Sequence, residues 1–313
     1  MSKDRRKSRE NLHDLGTEQP NRSAIELDDR PSLEIVGIIN AEDTKVAAAV
    51  GRVLPQIARA IDLIATRLRQ GGRLIYVGAG TSGRIAALDA AECPPTFGTP
   101  RSMVQFIMSG GPRALGVAAE ISEDSREAGR HEMAQRQPSK KDVIVGIAAS
   151  GRTPFTVAAV AYARSRGAKT IAVTCNQNSP LERAADLAIV TIVGPEVVAG
   201  SSRMKAGSAQ KMVLNMLSTG AMTRLGYVYG NLMVNVHLAN SKLMERGITI
   251  LASAAEIDRA AAKRELLASG GSVPVALVMV KAGVKRAEAE RALRVTERNV
   301  RRAIELAART NSN

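Results

Sequence analysis

The sequence predicts an α/β protein, a parallel sheet flanked by helices with a small all-helical domain at its C-terminal end. Three observations carry that expectation. Short apolar runs rich in β-branched residues alternate with helix-compatible stretches from Arg73 to about Val193. Two of those runs end in glycine and hydroxyl turns that open directly into helices, and beyond residue 247 only helical periodicity remains.

Residues 1–22 are polar and charged, without periodic apolar positions, so they bury too little surface to offset ordering and are expected as a disordered tail. From Ser32 to Gln70 apolar residues recur at three-to-four spacing, which predicts helix stopped by Gly71 and Gly72, with Pro55 kinking or dividing it. RLIYVGAGTSGRIAALDAAE then has the order of a strand, a glycine turn and a helix. SMVQFIMS reads as a strand, Pro112 to Gln135 as helix-compatible, and DVIVGIAASGRTPFTVAAVAYARSRG again as strand, turn and helix. TIAVTCN and LAIVTIV are two further buried strands. A long helix follows SSRMK, and NLMVNVHLANSKLMER suggests another that closes the α/β domain, residues 23–247. Three helical segments separated by glycine-containing breaks make the small domain, residues 248–313.

The composition narrows the function classes. At 313 residues, with 45% hydrophobic and 24% charged, the chain supports a sizeable core, which must be aliphatic because aromatics are 2% and tryptophan is absent. A net charge of +14 favours anionic partners, but stacking aromatics are too few for a nucleic-acid groove, so no nucleic acid is expected. Cys93 and Cys175 stand alone, without CxxC spacing, which disfavours a zinc site or a disulfide framework and fits a reducing cytoplasm. The basic N-terminus lacks an apolar segment behind it, and no run is long enough for a membrane span, so neither export nor a membrane partner is expected. His13, His131 and His237 share no metal-binding spacing, so no metal is expected.

Chemistry concentrates at the turns. Gly80, Thr81 and Ser82 place glycine and hydroxyls where a helix N-terminus offers unpaired N–H groups, and Ser150, Gly151, Arg152 and Thr153 repeat the device. One such turn is often mere tight packing, but two at the carboxyl ends of neighbouring strands can converge on one ligand. Neither carries a Walker lysine, so anchoring of a phosphorylated small molecule is favoured over nucleotide hydrolysis. Carboxylates near these turns are Glu92 and the cluster Glu120, Glu123, Asp124 and Glu127, most of which are ordinary solvated helix faces. The run from Gly194 to Ser208, with Glu196, Ser201, Ser202, Arg203 and Lys205, is dense in hydroxyls and basic groups around a helix start. Cys93 has no histidine nearby in sequence to activate it and reads as a small buried thiol.

Four ordered motifs, YVGAGTSGRIAALDAAECPPTFG, AEISEDSREAG, VGIAASGRTPF and GPEVVAGSSRMKAGSAQKMVLNMLSTG, together resemble the N-acetylmuramic acid 6-phosphate etherases from about Ser23 to the C-terminal helices. The resemblance implies a sugar isomerase (SIS) domain. It also implies cleavage of the lactyl ether at C3 of the sugar phosphate, giving N-acetylglucosamine 6-phosphate and D-lactate in cell-wall recycling, without cofactor. By motif position Glu92 corresponds to the proton-donating acid and Glu123 to the second catalytic carboxylate. Ser82, Ser150 and Thr153 would hold the phosphate, with Glu196, Ser201, Ser202, Arg203 and Lys205 lining the site. A sugar-phosphate isomerase shares the scaffold, but the AECPP and SSRMK motifs speak against it. Retention of both glutamates speaks against a regulatory sugar-phosphate binder, and no helix-turn-helix unit is legible for a DNA-binding sensor. SIS domains generally pair, so a homodimer is expected.

Overall fold

The computed structural model describes residues 15–117, 122–236, 238 and 240–311. The first fourteen residues of the expected tail, His13, Glu120 and His237 lie outside them.

Two helices precede the sheet: α1, Ser32–Gly51, and α2, Leu54–Arg69. Pro55 divides them, standing in the first turn of α2, where its missing N–H costs no helix bond. The alternating part follows as β1 (Leu74–Gly78), α3 (Gly80–Phe97), β2 (Val104–Met108), α4 (Arg126–Gln135), β3 (Val143–Ile147), α5 (Pro154–Ser165), β4 (Lys169–Thr174), α6 (Pro180–Ala184), β5 (Leu187–Val190) and α7 (Lys205–Arg224). The helices α8 (Ser241–Ala255), α9 (Arg259–Ala268), α10 (Val273–Ala282), α11 (Arg286–Val295) and α12 (Val300–Asn311) complete the chain.

The strands form one sheet in the order β2-β1-β3-β4-β5, and β1, β3, β4 and β5 pair in parallel. In register, Leu74 faces Val143 and Val143 faces Lys169. Every residue of β1 and β3 is buried, as expected of strands covered on both faces. The chain order reverses between β1 and β3, the switch point where open α/β sheets place their ligands. Both glycine turns leave the sheet there.

The chain divides into two compact units. One comprises the chain up to Ala60, Leu74–Ala87 and Phe106–Leu214; its core joins Ile75, Val77 and Ile144 to Phe155, Val160 and Ala163 of α5. The other comprises Ile61–Arg73, Leu88–Gln105 and Asn215 onward; its core is built from α8 to α12, with Leu251, Leu266, Leu277 and Ala303 sealed from solvent.

Several expectations are corrected. Among the described residues from Pro112 to Gln135, the expected helix is interrupted: a four-residue 3-10 turn at Pro112–Leu115 and a 3-10 residue at Ser122 precede α4, which Ser125 starts by accepting from the Ala128 N–H. Asn231 to Val236 is not helix, and the boundary drawn at residue 247 falls inside α8, whose start is capped by Asn240. The expected last helical segment is two helices, because Glu297 and Arg298 both take left-handed φ and turn the chain. Residues 15–22, drawn as part of the tail, are ordered. Leu15 and Thr17 are buried, and three short 3-10 turns occupy Gly16–Glu18, Arg22–Ala24 and Leu27–Asp29.

Candidate functional site

The first turn leaves β1 at Gly78 and enters α3 at Gly80, whose φ of +52° is a left-handed conformation that side chains resist. A methyl group placed on Gly80 would stand 3.0 Å from the Glu123 carboxylate oxygen, so glycine there admits a carboxylate against the first residue of the helix. The backbone carbonyl of Glu123 meanwhile accepts from the Phe155 N–H of α5, at 3.0 Å. Glu123 therefore touches the helices that follow both turns. Arg84 of α3 donates to the carbonyls of Ala114 and Leu115 at 3.0 Å each.

The two turns differ in what they leave open. Ser82 is buried and donates to Gln210 Oε1 at 2.9 Å, which commits its hydroxyl proton to a bond within the protein. Thr81 is half-buried beside it. In the second turn Ser150 Oγ accepts from the Arg152 N–H at 3.2 Å, which leaves its own proton available for donation. Gly151 has φ +65° and lies so close to Ser179 that a methyl group would collide with its Oγ, which fixes the loop. Thr153 precedes α5 without capping it through its side chain.

The stretch between β5 and α7 is organised from within. Glu196 is fully buried, and its carboxylate accepts from the N–H groups of Lys205 and Ala206 at 3.0 and 2.9 Å, capping α7. Burial pushes this carboxyl up, against those two bonds and the Lys205 charge, which pull it down. Lys205 is 1% exposed and its ammonium donates to Glu42 of α1. Burial acts most strongly on Glu42 and would raise it; hydrogen bonds from Lys205, Lys45 and Asn21, with the Lys205 charge, outweigh that and bring it down to about 2. The Glu196 and Lys205 side chains thus face the interior. Ser201 and Ser202 are half-buried and Arg203 is exposed, so these remain on offer to a ligand.

Glu92 is exposed and is the thirteenth residue of α3, about 18 Å along the helix axis from Gly80. Asp124 and Glu127 are exposed, as their solvated reading requires, and His131 lies exposed on α4 beside Gln135. Cys93 and Cys175 are free and buried, and burial, joined at Cys93 by the Asp89 charge, pushes each thiol up to about 12. No three His, Cys, Asp or Glu side chains group to hold a metal among the described residues.

Sequence reasoning missed Glu42, Asn176 and Thr17, all buried polar residues around these loops. Asn176 donates to the Ala149 carbonyl at 2.9 Å, fixing the second turn from below. The signal available was a polar residue inside an otherwise apolar strand-to-turn run, TIAVTCN.

The chain is similar to known proteins. Residues 56–164 match the glucokinase regulatory protein N-terminal SIS domain and residues 117–220 the SIS domain. An N-acetylmuramic acid 6-phosphate etherase of Symbiobacterium thermophilum is 56% identical over 274 residues, covering 87% of this chain and 91% of its own. One from Photorhabdus laumondii is 49% identical over 284 residues, covering 91% and 94%. Among solved structures, a phosphoheptose isomerase from Francisella tularensis aligns with TM-score 0.48 and 18% identity, over 62% of this chain and 100% of the other.

Proposed function

The chain belongs to the N-acetylmuramic acid 6-phosphate etherases, and from that premise we propose that it cleaves the D-lactyl ether of N-acetylmuramic acid 6-phosphate, with Glu123 as base and Glu92 as acid. The observation that carries the reading is the Glu123 carboxylate set against Gly80 at the start of α3. A helix N-terminus favours the ionised carboxylate, which suits a base.

The same carboxylate repels an anion at the first turn, so the 6-phosphate belongs at the second, on Ser150, the Gly151 backbone and Thr153. Gly80 and Thr81 then meet the sugar, and Ser201, Ser202 and Arg203 approach from the α7 side. Ring opening gives an aldehyde that acidifies the C2 proton. Glu123 removes that proton, the C3–O bond breaks, and lactate departs with a proton from Glu92. Water adds its hydroxyl to C3 and a proton returns to C2, which yields N-acetylglucosamine 6-phosphate and restores both carboxyl groups. An ether leaves poorly as an alkoxide, so the acid is as necessary as the base.

Base and acid act on adjacent carbons, yet Glu92 stands about 18 Å of helix beyond Gly80, longer than the sugar phosphate itself. We assign Glu92 to the site of a second copy, which makes the protein a homodimer; a monomer by light scattering at micromolar concentration counts against this. The two free cysteines support a reducing cytoplasm, and no single helix among the described residues is long and apolar enough to cross a membrane.

The test is turnover of the sugar phosphate in heavy-oxygen water by the wild type, Glu92→Gln and Glu123→Gln. Lactate release with label in the sugar, lost in both variants, is the expected result. Binding without turnover by the wild type would overturn the etherase reading.

A further inference from the structure

Residues 15–21 lie 128 or more positions before the second turn and the stretch between β5 and α7, yet they are bonded to both. Thr17 is 2% exposed. Its hydroxyl accepts from Asn176 Nδ2 at 3.2 Å, and the same amide group donates to the Ala149 carbonyl of the second turn at 2.9 Å. The Thr17 carbonyl accepts from the Gly200 N–H at 3.2 Å, one residue before Ser201. Asn21 adds a third attachment, donating to the Pro195 carbonyl at 3.1 Å. Gly16 closes the arrangement by donating its N–H to Asn176 Oδ1 at 3.0 Å.

One buried threonine thus bridges the loop that carries Ser150 and the loop that carries Ser201, Ser202 and Arg203. N-terminal segments fray unless tied down, and here, beside the buried Leu15, the ties are polar bonds to these two loops. Buried side-chain hydrogen bonds of this kind fix one arrangement of the groups they join.

We propose that Thr17 and Asn21 are positioning residues for the etherase reaction, setting the separation of the Ser150 loop from the Ser201 loop so that one sugar phosphate contacts both. The inference rests on reading those loops as the substrate loops. Neither residue touches the substrate; Thr17 acts through Asn176 and Gly200, and Asn21 through Pro195. A ligand gripped from two sides loses affinity when the sides drift, in ground state and transition state alike, so the effect falls on KM more than on kcat.

The experiment compares Thr17→Val, Thr17→Ser, Asn21→Ala and Ser150→Ala in full steady-state kinetics with the sugar phosphate, alongside thermal melting. Thr17→Val removes the hydroxyl at nearly constant volume, and Thr17→Ser keeps it. The expected result is a KM raised about tenfold in Thr17→Val and about threefold in Asn21→Ala, with kcat within about twofold and Thr17→Ser close to wild type. A merely structural role would lower the melting temperature without splitting KM from kcat. If Thr17→Val does not fold, Asn21→Ala decides, because Asn21 is half-exposed and its loss leaves the core intact. Wild-type kinetics in Thr17→Val and Asn21→Ala, with Ser150→Ala impaired, would overturn the positioning role alone. Wild-type kinetics in Ser150→Ala would overturn the loop reading, and the positioning role with it.

Discussion

Lys205, the first residue of α7, turns its ammonium inward to Glu42 on α1, and the two side chains are only 2% and 5% exposed. Removing one partner of a buried pair strands the other charge, whereas replacing both by apolar groups of like volume is often tolerated. Lys205→Met alone is expected to cost about 3–5 kcal/mol in denaturant unfolding, and the double variant Glu42→Leu with Lys205→Met to recover most of that. Equal losses in the single and double variants would mean that the pair is not what holds these residues.

The same pair sets an acid limit. Glu42 titrates near 2 in the folded protein against an ordinary 4.5, so the folded state binds its proton less tightly than the unfolded chain does. Its stabilisation is fully present above about pH 4.5 and drains away as pH falls toward 2. Unfolding free energy measured across that window should fall with a shallower slope in Glu42→Gln than in the wild type.

Gly80→Ala tests the contact between Glu123 and the first turn. The new methyl group meets the carboxylate at 3.0 Å, and the residue must hold φ +52°. The backbone strain costs about 1 kcal/mol, and displacement of the proposed base is expected to lower kcat about tenfold or more. A melting curve and a kcat measurement on one preparation separate the two effects; unchanged kcat would remove Glu123 from the chemistry.

Much of this was legible in the chain because it is written locally. LIYVG and VIVGI are continuous apolar runs, which only a strand buried on both faces explains, and each runs into its turn and helix without interruption. The break at Glu297 and Arg298 was not legible, since neither residue is a turn former and Leu293 and Val300 keep a seven-residue helical spacing across them. The inward turn of Glu196 and Lys205 and the anchoring of Thr17 were hidden for another reason. Lys205 finds its charge partner 163 positions away and Thr17 its amide partner 159 away, and polar pairing at that range leaves no periodicity. Around a helix start, hydroxyls and basic groups look the same whether they serve a ligand or the fold.

Cys93 and Cys175 should be silent toward thiol reagents. Each thiol is pushed up to about 12, mainly by burial, so at pH 8 about one in ten thousand is thiolate, and neither sulfur is exposed. Ellman's reagent should react with neither in the native protein and with both in guanidinium. Fast reaction of the native protein would show local opening at one of the two sites.

The last prediction concerns where the two carboxylates proposed as acid and base meet. Glu123 stands at the first residue of α3 and Glu92 is the thirteenth, and a glutamate side chain is too short to close the roughly 18 Å of helix between them. If each site takes Glu123 from one chain and Glu92 from another, two inactive variants can repair one another. In a mixed dimer of Glu92→Gln with Glu123→Gln, one site collects both substitutions and the other collects none. Random exchange makes half of the dimers mixed, each with one intact site of two, so equal mixing should restore about a quarter of wild-type activity. The variants would be mixed in mild denaturant, refolded together and assayed for D-lactate release against each variant treated alone. Recovery near that level would require both a dimer and a shared site, while no recovery despite demonstrated subunit exchange would return both glutamates to a single chain and sink the helix-length argument.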